Sequence, residues 1–337
     1  MTSTRERVEH SLLHDDALVV RVDDALAPLV APWRPFHAAP PRRTSEHRAA
    51  IDVVAVAEAT ISDTAEGDGA PLLRFGGVQV HALDGDILDL RGASAVRGRI
   101  DLEARRATIP VPRSCTVAHG VDADPADSPL ALDVYSMLTL TAAFLVGRLG
   151  GALVHAGGVV DPEGRAWLLV GDTHAGKTTT CVSLVSAGWR YLADDQVVLR
   201  MDDAGALIVE GWPRRAHLDE GWSEAVVTRT RATLDLRARW GNRWMGRAPL
   251  GGVLLPAVDA ERPTALAVAT DATAFTALVR QSPWLMADRT VAGEVMALLR
   301  GAASRPAFSL TLGGDSYARG DVLAERLAPA RAAGVPR

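Results

Sequence analysis

The sequence predicts an α/β fold with a smaller β-rich region on its N-terminal side, and three observations lead to this prediction. Residues 152–200 alternate between apolar, strand-like segments and one amphipathic helix. A glycine-rich segment joins the apolar strand Ala166–Val170 to that helix, which we place at Thr178–Ala187. Residues 50–112 instead contain short, partly β-branched segments between turn residues. Because 337 residues leave room for two domains, we assign them to 1–127 and 128–337.

The composition excludes several classes of protein. Hydrophobic residues make up 48% and charged residues 23%, which is typical of a globular chain rather than a disordered one. The net charge is −5 with acids and bases intermixed, which argues against a dedicated nucleic-acid binder. The longest apolar stretch, Val134–Val146, has 13 residues and is too short to span a bilayer. No signal peptide is visible and Cys115 and Cys181 are the two cysteines, so we expect a cytoplasmic protein without a disulfide framework or a membrane partner.

The N-terminal region begins with a polar segment and continues as short strands. Residues 1–48 are interrupted by prolines, and the stretch Ala31–Arg43 is typical of a linker or an extended arm. Apolar or alternating segments bounded by turn residues then predict strands within Ile51–Val56, Leu72–Leu83, Ile87–Leu90 and Arg99–Pro110. Ser128 as the N-cap and Pro129 at the first helical position predict a helix that runs to about Leu149.

The C-terminal region combines further strands with helices. Apolar segments predict strands at Ala152–Val160, Ala166–Val170, Trp189–Ala193, Val197–Arg200, Leu207–Val209, Leu250–Pro256 and Phe308–Leu312. Helical periodicity predicts helices at Thr178–Ala187, Ala272–Val279, Val291–Leu299 and Val322–Leu327. The arginine-rich stretch Trp222–Trp244 is compatible with a helix or with an excursion from the fold.

The glycine-rich segment has the pattern of a phosphate-binding loop. It fits G-x-x-x-x-G-K-[ST], with a strand before it and a helix after it. Lys177 is also the single lysine among 36 basic residues, which suggests chemistry that arginine cannot supply. Backbone N–H groups and the helix N-terminus would hold phosphates, Lys177 would reach the β- and γ-phosphates, and Thr178 would bind Mg²⁺. The predicted nucleotide-binding residues are Gly171, Asp172, Thr173, His174, Ala175, Gly176, Lys177, Thr178 and Thr179. The alternative is a glycine-rich turn without a ligand.

Two adjacent carboxylates follow the strand after this helix. In a parallel sheet, Asp194 and Asp195 would lie beside the loop at the carboxyl edge, where ligands bind. One carboxylate could hold Mg²⁺ while the other accepts a proton from an incoming hydroxyl. The alternative is an Asp-rich turn, which is the interpretation that we prefer for Asp202 and Asp203.

A histidine precedes the loop by 16 positions. His155 lies within an apolar segment, where a lone histidine is more often a hydrogen-bonded core residue than a catalytic one. Gly157 and Gly158 would allow another group to approach it closely. The residues alone leave both interpretations open.

Together, these motifs resemble the catalytic core of HPr kinase/phosphorylase. That family has a histidine before the loop, a G-D-S-x-x-G-K-S loop and a D-D pair on the following strand, and phosphoenolpyruvate carboxykinases are similar in less detail. The resemblance implies a P-loop kinase fold that uses ATP and Mg²⁺. It implies that Lys177 binds phosphates, Thr178 binds Mg²⁺, Asp194 is the base for the acceptor hydroxyl and His155 assists. The segment Pro306–Gly313 also resembles the closing strand of HPr-kinase-like proteins encoded beside peptide-modification genes.

The chain departs from the family after the acidic pair. HPr kinases carry an E-x-R-G-x-G segment, and the comparable region here is Val209–Arg215 with a different spacing. Within it, Glu210 could be a second metal ligand beside Asp195, and Arg214 or Arg215 a phosphate contact. Residues 1–127 show no match to the family.

The sequence therefore predicts an ATP-dependent kinase acting on a hydroxyl, of serine type, in a protein, a peptide or a small molecule other than HPr. Precursor peptides are one candidate, by analogy with HPr-kinase-like enzymes of lasso-peptide pathways. An NTP-hydrolysing switch and a nucleotide-binding scaffold are the alternatives. The switch is disfavoured because an N-K-x-D base-recognition motif needs a second lysine. Assembly into a homo-oligomer is left open.

Overall fold

The computed structural model describes residues 7–13, 17–27, 48–56, 69–94, 96–112, 129–212, 216–219, 231–234, 243–316 and 319–333. These form a mixed α/β protein with two compact units, one of residues 1–149 with 286–289 and one of 150–285 with 290–337. The boundary expected after residue 127 stays a prediction. The expectations for the linker Ala31–Arg43, for Cys115, Ser128, Arg214 and Arg215, and for most of residues 222–244 concern residues outside the described ranges.

The first unit contains a sheet of eight strands in the order β1-β2-β3-β8-β7-β6-β5-β4. The strands are β1 (Arg7–Ser11), β2 (Leu18–Asp23), β3 (Ala49–Val56), β4 (Leu73–Phe75), β5 (Val78–Ala82), β6 (Ile87–Arg91), β7 (Arg97–Asp101) and β8 (Arg106–Pro112). Strands β3 to β8 agree with the sequence-based predictions. The sequence analysis did not predict β1 and β2. β2 is buried between β1 and the parallel strand β3, and because β3 is distant in the sequence, local patterns do not indicate this pairing.

The predicted apolar helix is confirmed as α1 (Pro129–Arg148), which packs on this sheet. The close approach of α1 to the sheet depends on two glycines. A Cβ on Gly92 would lie 2.4 Å from Asp133 Oδ2, and one on Gly76 would lie 2.1 Å from Ser136 Oγ. At the end of the helix, the Arg148 guanidinium donates to carboxylates of Asp86 and Asp288 at 2.6 and 2.7 Å.

The second unit contains a nine-stranded mixed sheet with the main order β12-β10-β11-β17-β14-β13-β9, in which β19 pairs with β17 and β18. Its strands are β9 (Gly151–Val154), β10 (Ala156–Val160), β11 (Ala166–Val170), β12 (Arg190–Ala193), β13 (Val197–Met201), β14 (Leu207–Gly211), β17 (Arg247–Val258), β18 (Ala265–Val268) and β19 (Ala307–Leu312). A separate pair is formed by β15 (Ala216–Asp219) and β16 (Arg231–Leu234). The helices are α2 (Lys177–Ser186), α3 (Asp271–Arg280), α4 (Ala292–Ala303), α5 (Gly320–Arg326) and α6 (Ala328–Ala333). Short 3₁₀ turns lie at Asp24–Leu26 in the first unit and at Pro283–Met286 and Gly314–Ser316.

The prediction of one strand over Ala152–Val160 is wrong. The segment breaks at His155 into β9, which pairs with β13, and β10, which lies between β11 and β12. The two halves of this apolar segment therefore pair with different strands. The break places His155 immediately before β10.

The sequence analysis assumed a parallel sheet around the loop, and this assumption is also wrong. β10 is antiparallel to both β11 and β12, so β11 and β12 run in the same direction without being neighbours. β17 and β19 run parallel to β11. The carboxyl ends of β11 and β12 therefore share one edge of the sheet with the beginning of β10, and this edge carries the loop, the acidic pair and His155.

Helices cover both faces of this sheet. One hydrophobic cluster joins α2 and α5 to the sheet and includes Trp167, Leu169, Leu184 and Leu323. The other joins α3 and α4 to the opposite side. Such a three-layer arrangement buries the continuous apolar strands on both faces. Among the described helices, none is long and apolar enough to cross a membrane.

Candidate active site

The loop between β11 and α2 has the curled backbone of a phosphate cradle. His174 and Gly176 adopt left-handed conformations, with φ of 66° and 92°, and Ala175 N donates to Asp172 O at 3.2 Å. Gly176 is the N-cap of α2 and supplies no side-chain acceptor to the first turn. The N–H groups of that turn have no intrahelical partners. They are therefore available to an anion at the positive end of the helix.

Lys177 begins α2 and folds back over the loop. Its side chain is 7% exposed, and Nζ donates to the carbonyl oxygens of Gly171 and Asp172 at 2.9 and 3.1 Å. Burial lowers the pKa of Lys177, and the negative charges of Asp195 and Asp194 act in the opposite direction. The ammonium thus lies inside the loop and within electrostatic reach of the acidic pair.

The remaining loop side chains differ in accessibility. Thr173 and His174 are exposed, whereas Thr178 and Thr179, on the first turn of α2, are half-buried. The nine predicted residues therefore lie in the loop and the first turn of α2, and the Lys177 ammonium contacts the carbonyl oxygens of two of them. Their binding of a nucleotide stays a prediction.

The acidic pair follows β12 at the same edge of the sheet. Asp194 is 6% exposed, whereas the Asp195 side chain is 30% exposed and its Oδ1 lies 2.8 Å from His155 Nε2. His155 and Asp195 are 40 residues apart in the chain. Their meeting follows from the pairing of β10 with β12, in which Gly158 is opposite Ala193.

The glycines after His155 serve the packing of the protein itself. A Cβ on Gly157 would lie 3.0 Å from Cys181 Sγ and 3.1 Å from the carbonyl oxygen of Asp194. A Cβ on Gly158 would lie 2.8 Å from Leu192. Burial raises the pKa of the Cys181 thiol well above its usual value, so this cysteine is an inert packing group. The close approach expected at these glycines is thus made by α2 and by the backbone of the acidic pair.

Glu210 lies on β14 and forms an ion pair with Arg200 of β13. Both strands lie on the other side of β17 from the loop strand β11. Among the described residues, no group of three or more His, Cys, Asp or Glu side chains could hold a metal ion without other ligands. A metal-binding role for Glu210 stays a prediction, and its present partner is a guanidinium.

Two residues that the sequence analysis did not select complete the site. Gln281, at the end of α3, donates from Nε2 to Asp172 Oδ1 at 2.9 Å, and its backbone carbonyl accepts the backbone N–H of His155 at 2.8 Å. Arg280 Nη2 donates to the other oxygen of Asp172 at 3.3 Å. Nothing in the local sequence indicates these contacts, because an Arg-Gln pair at the end of an amphipathic helix is ordinary surface chemistry.

Comparisons with known proteins relate part of this chain to HPr kinase/phosphorylase. No family model matches the chain. HPr kinase/phosphorylase of Bacillus cytotoxicus is 35% identical over 65 residues, which are 19% of this chain and 21% of that protein. The chain thus matches about a fifth of the length of this curated relative. Among solved structures, the HPr(Ser) kinase/phosphatase from Coxiella burnetii gives a TM-score of 0.32 at 10% identity, over 53% of this chain and 96% of that chain. The predicted resemblance to HPr kinase/phosphorylase is confirmed as a distant relationship.

Proposed function

We propose that this chain is an ATP-dependent kinase that transfers the γ-phosphate to a serine-type hydroxyl of a protein, a peptide or a small molecule. Residues 128–337 would form a catalytic domain of the HPr kinase type. The observation that carries the proposal is the shared sheet edge, where the buried Lys177 ammonium, its loop and the Asp194–Asp195 pair meet. The distant relationship to HPr kinase/phosphorylase supports the same reaction class.

The loop fits the phosphates of Mg-ATP. The N-cap Gly176 leaves the first-turn N–H groups of α2 to a ligand, and Lys177 points its ammonium at the loop interior. Mg²⁺ is usually held by one or two carboxylates together with substrate phosphates and water. Asp195 and the hydroxyl of Thr178 would supply the protein ligands. The absence of a three-residue metal cluster among the described residues is compatible with such an open site. Bound Mg-ATP would contribute the transferable phosphoryl group and a divalent positive charge beside it.

The protein would contribute position and a proton acceptor. Asp194 would take the proton of the acceptor hydroxyl as its oxygen bonds to phosphorus, which is the work of a general base. His155 would hold Asp195 in place through the 2.8 Å contact, so that the two carboxylates have different roles. Lys177 would offset the negative charge that spreads over the transferring group.

The test separates nucleotide binding from phosphoryl transfer. Asp194→Asn should bind Mg-ATP within about tenfold of the wild type, or about 1.4 kcal/mol, because Lys177 and the loop are unchanged. Transfer should fall by about a hundredfold or more, the usual contribution of a general base. Asp195→Asn should instead require a higher Mg²⁺ concentration for activity. Isothermal titration with Mg-ATP and mass spectrometry of candidate acceptors measure the two quantities.

Asp203→Asn is the matched control, because Asp203 lies in a surface turn between β13 and β14. This variant should behave as the wild type in both assays. If Asp194→Asn and Asp195→Asn both bind Mg-ATP and both transfer phosphate normally, the pair serves only as a turn, and the kinase mechanism is contradicted. ATP hydrolysis without any phosphorylated acceptor would favour the switch.

A further inference from the structure

We propose that Arg280 is a second phosphate-binding cation of this site, directed at the terminal phosphate of the nucleotide, and that Asp172 holds it at the loop until the nucleotide binds. The inference rests on the proposed nucleotide-binding function and adds a residue that the sequence motifs do not contain. It depends on three features of the described residues: a fixed anchor, an exchangeable ion pair and the position of the pair beside Lys177.

The fixed anchor is Gln281. The residue is 8% exposed, its side-chain amide donates to Asp172 of the loop, and its backbone carbonyl accepts the N–H of His155. The side chain and the backbone of this buried residue are each fixed by one contact, because losing either contact would leave a buried polar group unpaired. The end of α3 is thereby held against the loop. Because Arg280 is the residue before Gln281, its backbone is held beside the loop as well.

The ion pair between Arg280 and Asp172 is exchangeable. The two side chains are 67% and 69% exposed, and the nitrogen and oxygen atoms are 3.3 Å apart. Exposed ion pairs of this kind contribute little to stability. A guanidinium carries five N–H donors, and a phosphate offers more charge and a better geometric match than one shared carboxylate oxygen. Moving from Asp172 to a phosphate would therefore cost Arg280 little.

The position of the pair indicates the terminal phosphate. In P-loop proteins the lysine reaches the β- and γ-phosphates. Here the Lys177 ammonium lies on the carbonyl oxygens of Gly171 and Asp172. Arg280 contacts the side chain of the same Asp172. Among the arginines that the structure describes, Arg280 is the one that forms an ion pair with a loop side chain. Lys177 is the single lysine of the chain.

The two cations would have separate tasks. Phosphoryl transfer spreads negative charge over the oxygens of the moving group, and an additional arginine is a common means of stabilising it. Lys177 is buried within the loop and is suited to hold phosphates in place. Arg280 is exposed at the rim and is suited to contact the terminal phosphate from the solvent side.

The experiment compares ATP with ADP, because only ATP has the phosphate in question. Isothermal titration should show that Arg280→Gln weakens Mg-ATP binding by about tenfold or more, which is typical of a lost charge-assisted hydrogen bond. Mg-ADP binding should change by less than about threefold. Arg280→Lys should recover part of the lost affinity, because charge is kept while the fork is lost. The kcat for transfer should fall with the same ranking of variants.

Arg300→Gln is the matched control, an exposed arginine in the last turn of α4 that makes no loop contact. It should leave both affinities unchanged. Equal losses for ATP and ADP, or no loss for either, would overturn the assignment of Arg280.

The outcomes also separate this inference from the function on which it rests. If the wild type binds Mg-ATP and Lys177→Ala abolishes that binding, the nucleotide site is established whatever Arg280→Gln does. Failure of Arg280→Gln to discriminate ATP from ADP then overturns the present proposal alone. If the wild type binds neither nucleotide, both proposals are wrong.

Discussion

Replacing Gly176 with alanine tests whether the loop is held by its contact with the end of the sheet. Gly176 has a φ of 92°, and a Cβ at this position would lie 2.5 Å from Leu312 Cδ1 and 3.1 Å from Val258 Cγ2. Gly176→Ala therefore has two separate costs. One is the left-handed backbone, and the other is the collision with the ends of β17 and β19.

The two costs can be given magnitudes. A left-handed residue with a Cβ costs about 1–2 kcal/mol. An extra carbon that forces its neighbours to shift adds about 1–3 kcal/mol. The free energy of unfolding should therefore fall by about 2–5 kcal/mol in all. Binding of Mg-ATP should fall further, because relief of the collision would turn the first-turn N–H groups of α2 away from the loop.

Gly188 provides the matched control. It follows the C-terminal end of α2 with a φ of 99°, but nothing lies within 4 Å of a Cβ placed there. Gly188→Ala should therefore have the backbone cost alone, about 1–2 kcal/mol. For a domain of 150–250 residues the difference between the two variants corresponds to a gap in Tm of about 2–12 °C.

Leu312→Ala separates the collision from the backbone cost. Chemical denaturation of the single and double variants gives a double-mutant cycle. The double variant Gly176→Ala/Leu312→Ala should be more stable than the sum of the single effects predicts, by about 1–3 kcal/mol. Leu312→Ala should not relieve Gly188→Ala. Equal losses for Gly176→Ala and Gly188→Ala, with no relief by Leu312→Ala, would refute the reasoning.

Three further predictions follow from charged groups. Because burial lowers the pKa of Lys177 from 10.5, an acylating reagent should modify this single lysine at a lower pH than an ordinary lysine, and Mg-ATP should move the reaction back to higher pH. The same shift means that the charged form costs stability below the folded-state pKa and that the cost disappears as pH rises through the unfolded value. The stability of the wild type relative to Lys177→Met should therefore rise between neutral and alkaline pH. Arg148→Met should lower the free energy of unfolding by about 3 kcal/mol, because it leaves the carboxylate of Asp288, whose side chain is 5% exposed, without this cation. Adding Asp288→Asn should recover part of that loss, and an unchanged Tm in Arg148→Met would contradict the prediction.

The sequence alone predicted the parts of the site that lie close together in the chain. The phosphate loop is recognisable because its glycines, Lys177 and Thr178 occupy fixed positions between an apolar strand and an amphipathic helix. Asp194 and Asp195 are recognisable because they follow the next apolar strand. The structure places all of them at one edge of the sheet. The single lysine, a property of composition, pointed to the same position.

Other parts could not be predicted because their partners are distant in the sequence. Apolarity predicts that Ala152–Val160 is buried, but it does not say that the segment breaks at His155 and joins two different sets of strands. Glu210 forms an ion pair with Arg200, because the register of β13 and β14 makes the two residues diagonal neighbours on one face, and its expected role as a metal ligand stays a prediction. Gln281 carries no signal of its role.

The sequence by itself thus determined the local chemistry of this protein, including the loop, its lysine, the helix behind it and the carboxylates after the next strand. Each of these depends on backbone conformation and spacing over fewer than about ten residues, where turns, helix ends and strand periodicity are decided. Only the tertiary structure decided that β10 inserts between β11 and β12 and brings His155 to Asp195, and that the end of α3 brings Arg280 and Gln281 to Asp172. Those contacts depend on which apolar faces pack together, and many strand orders bury a given apolar segment equally well.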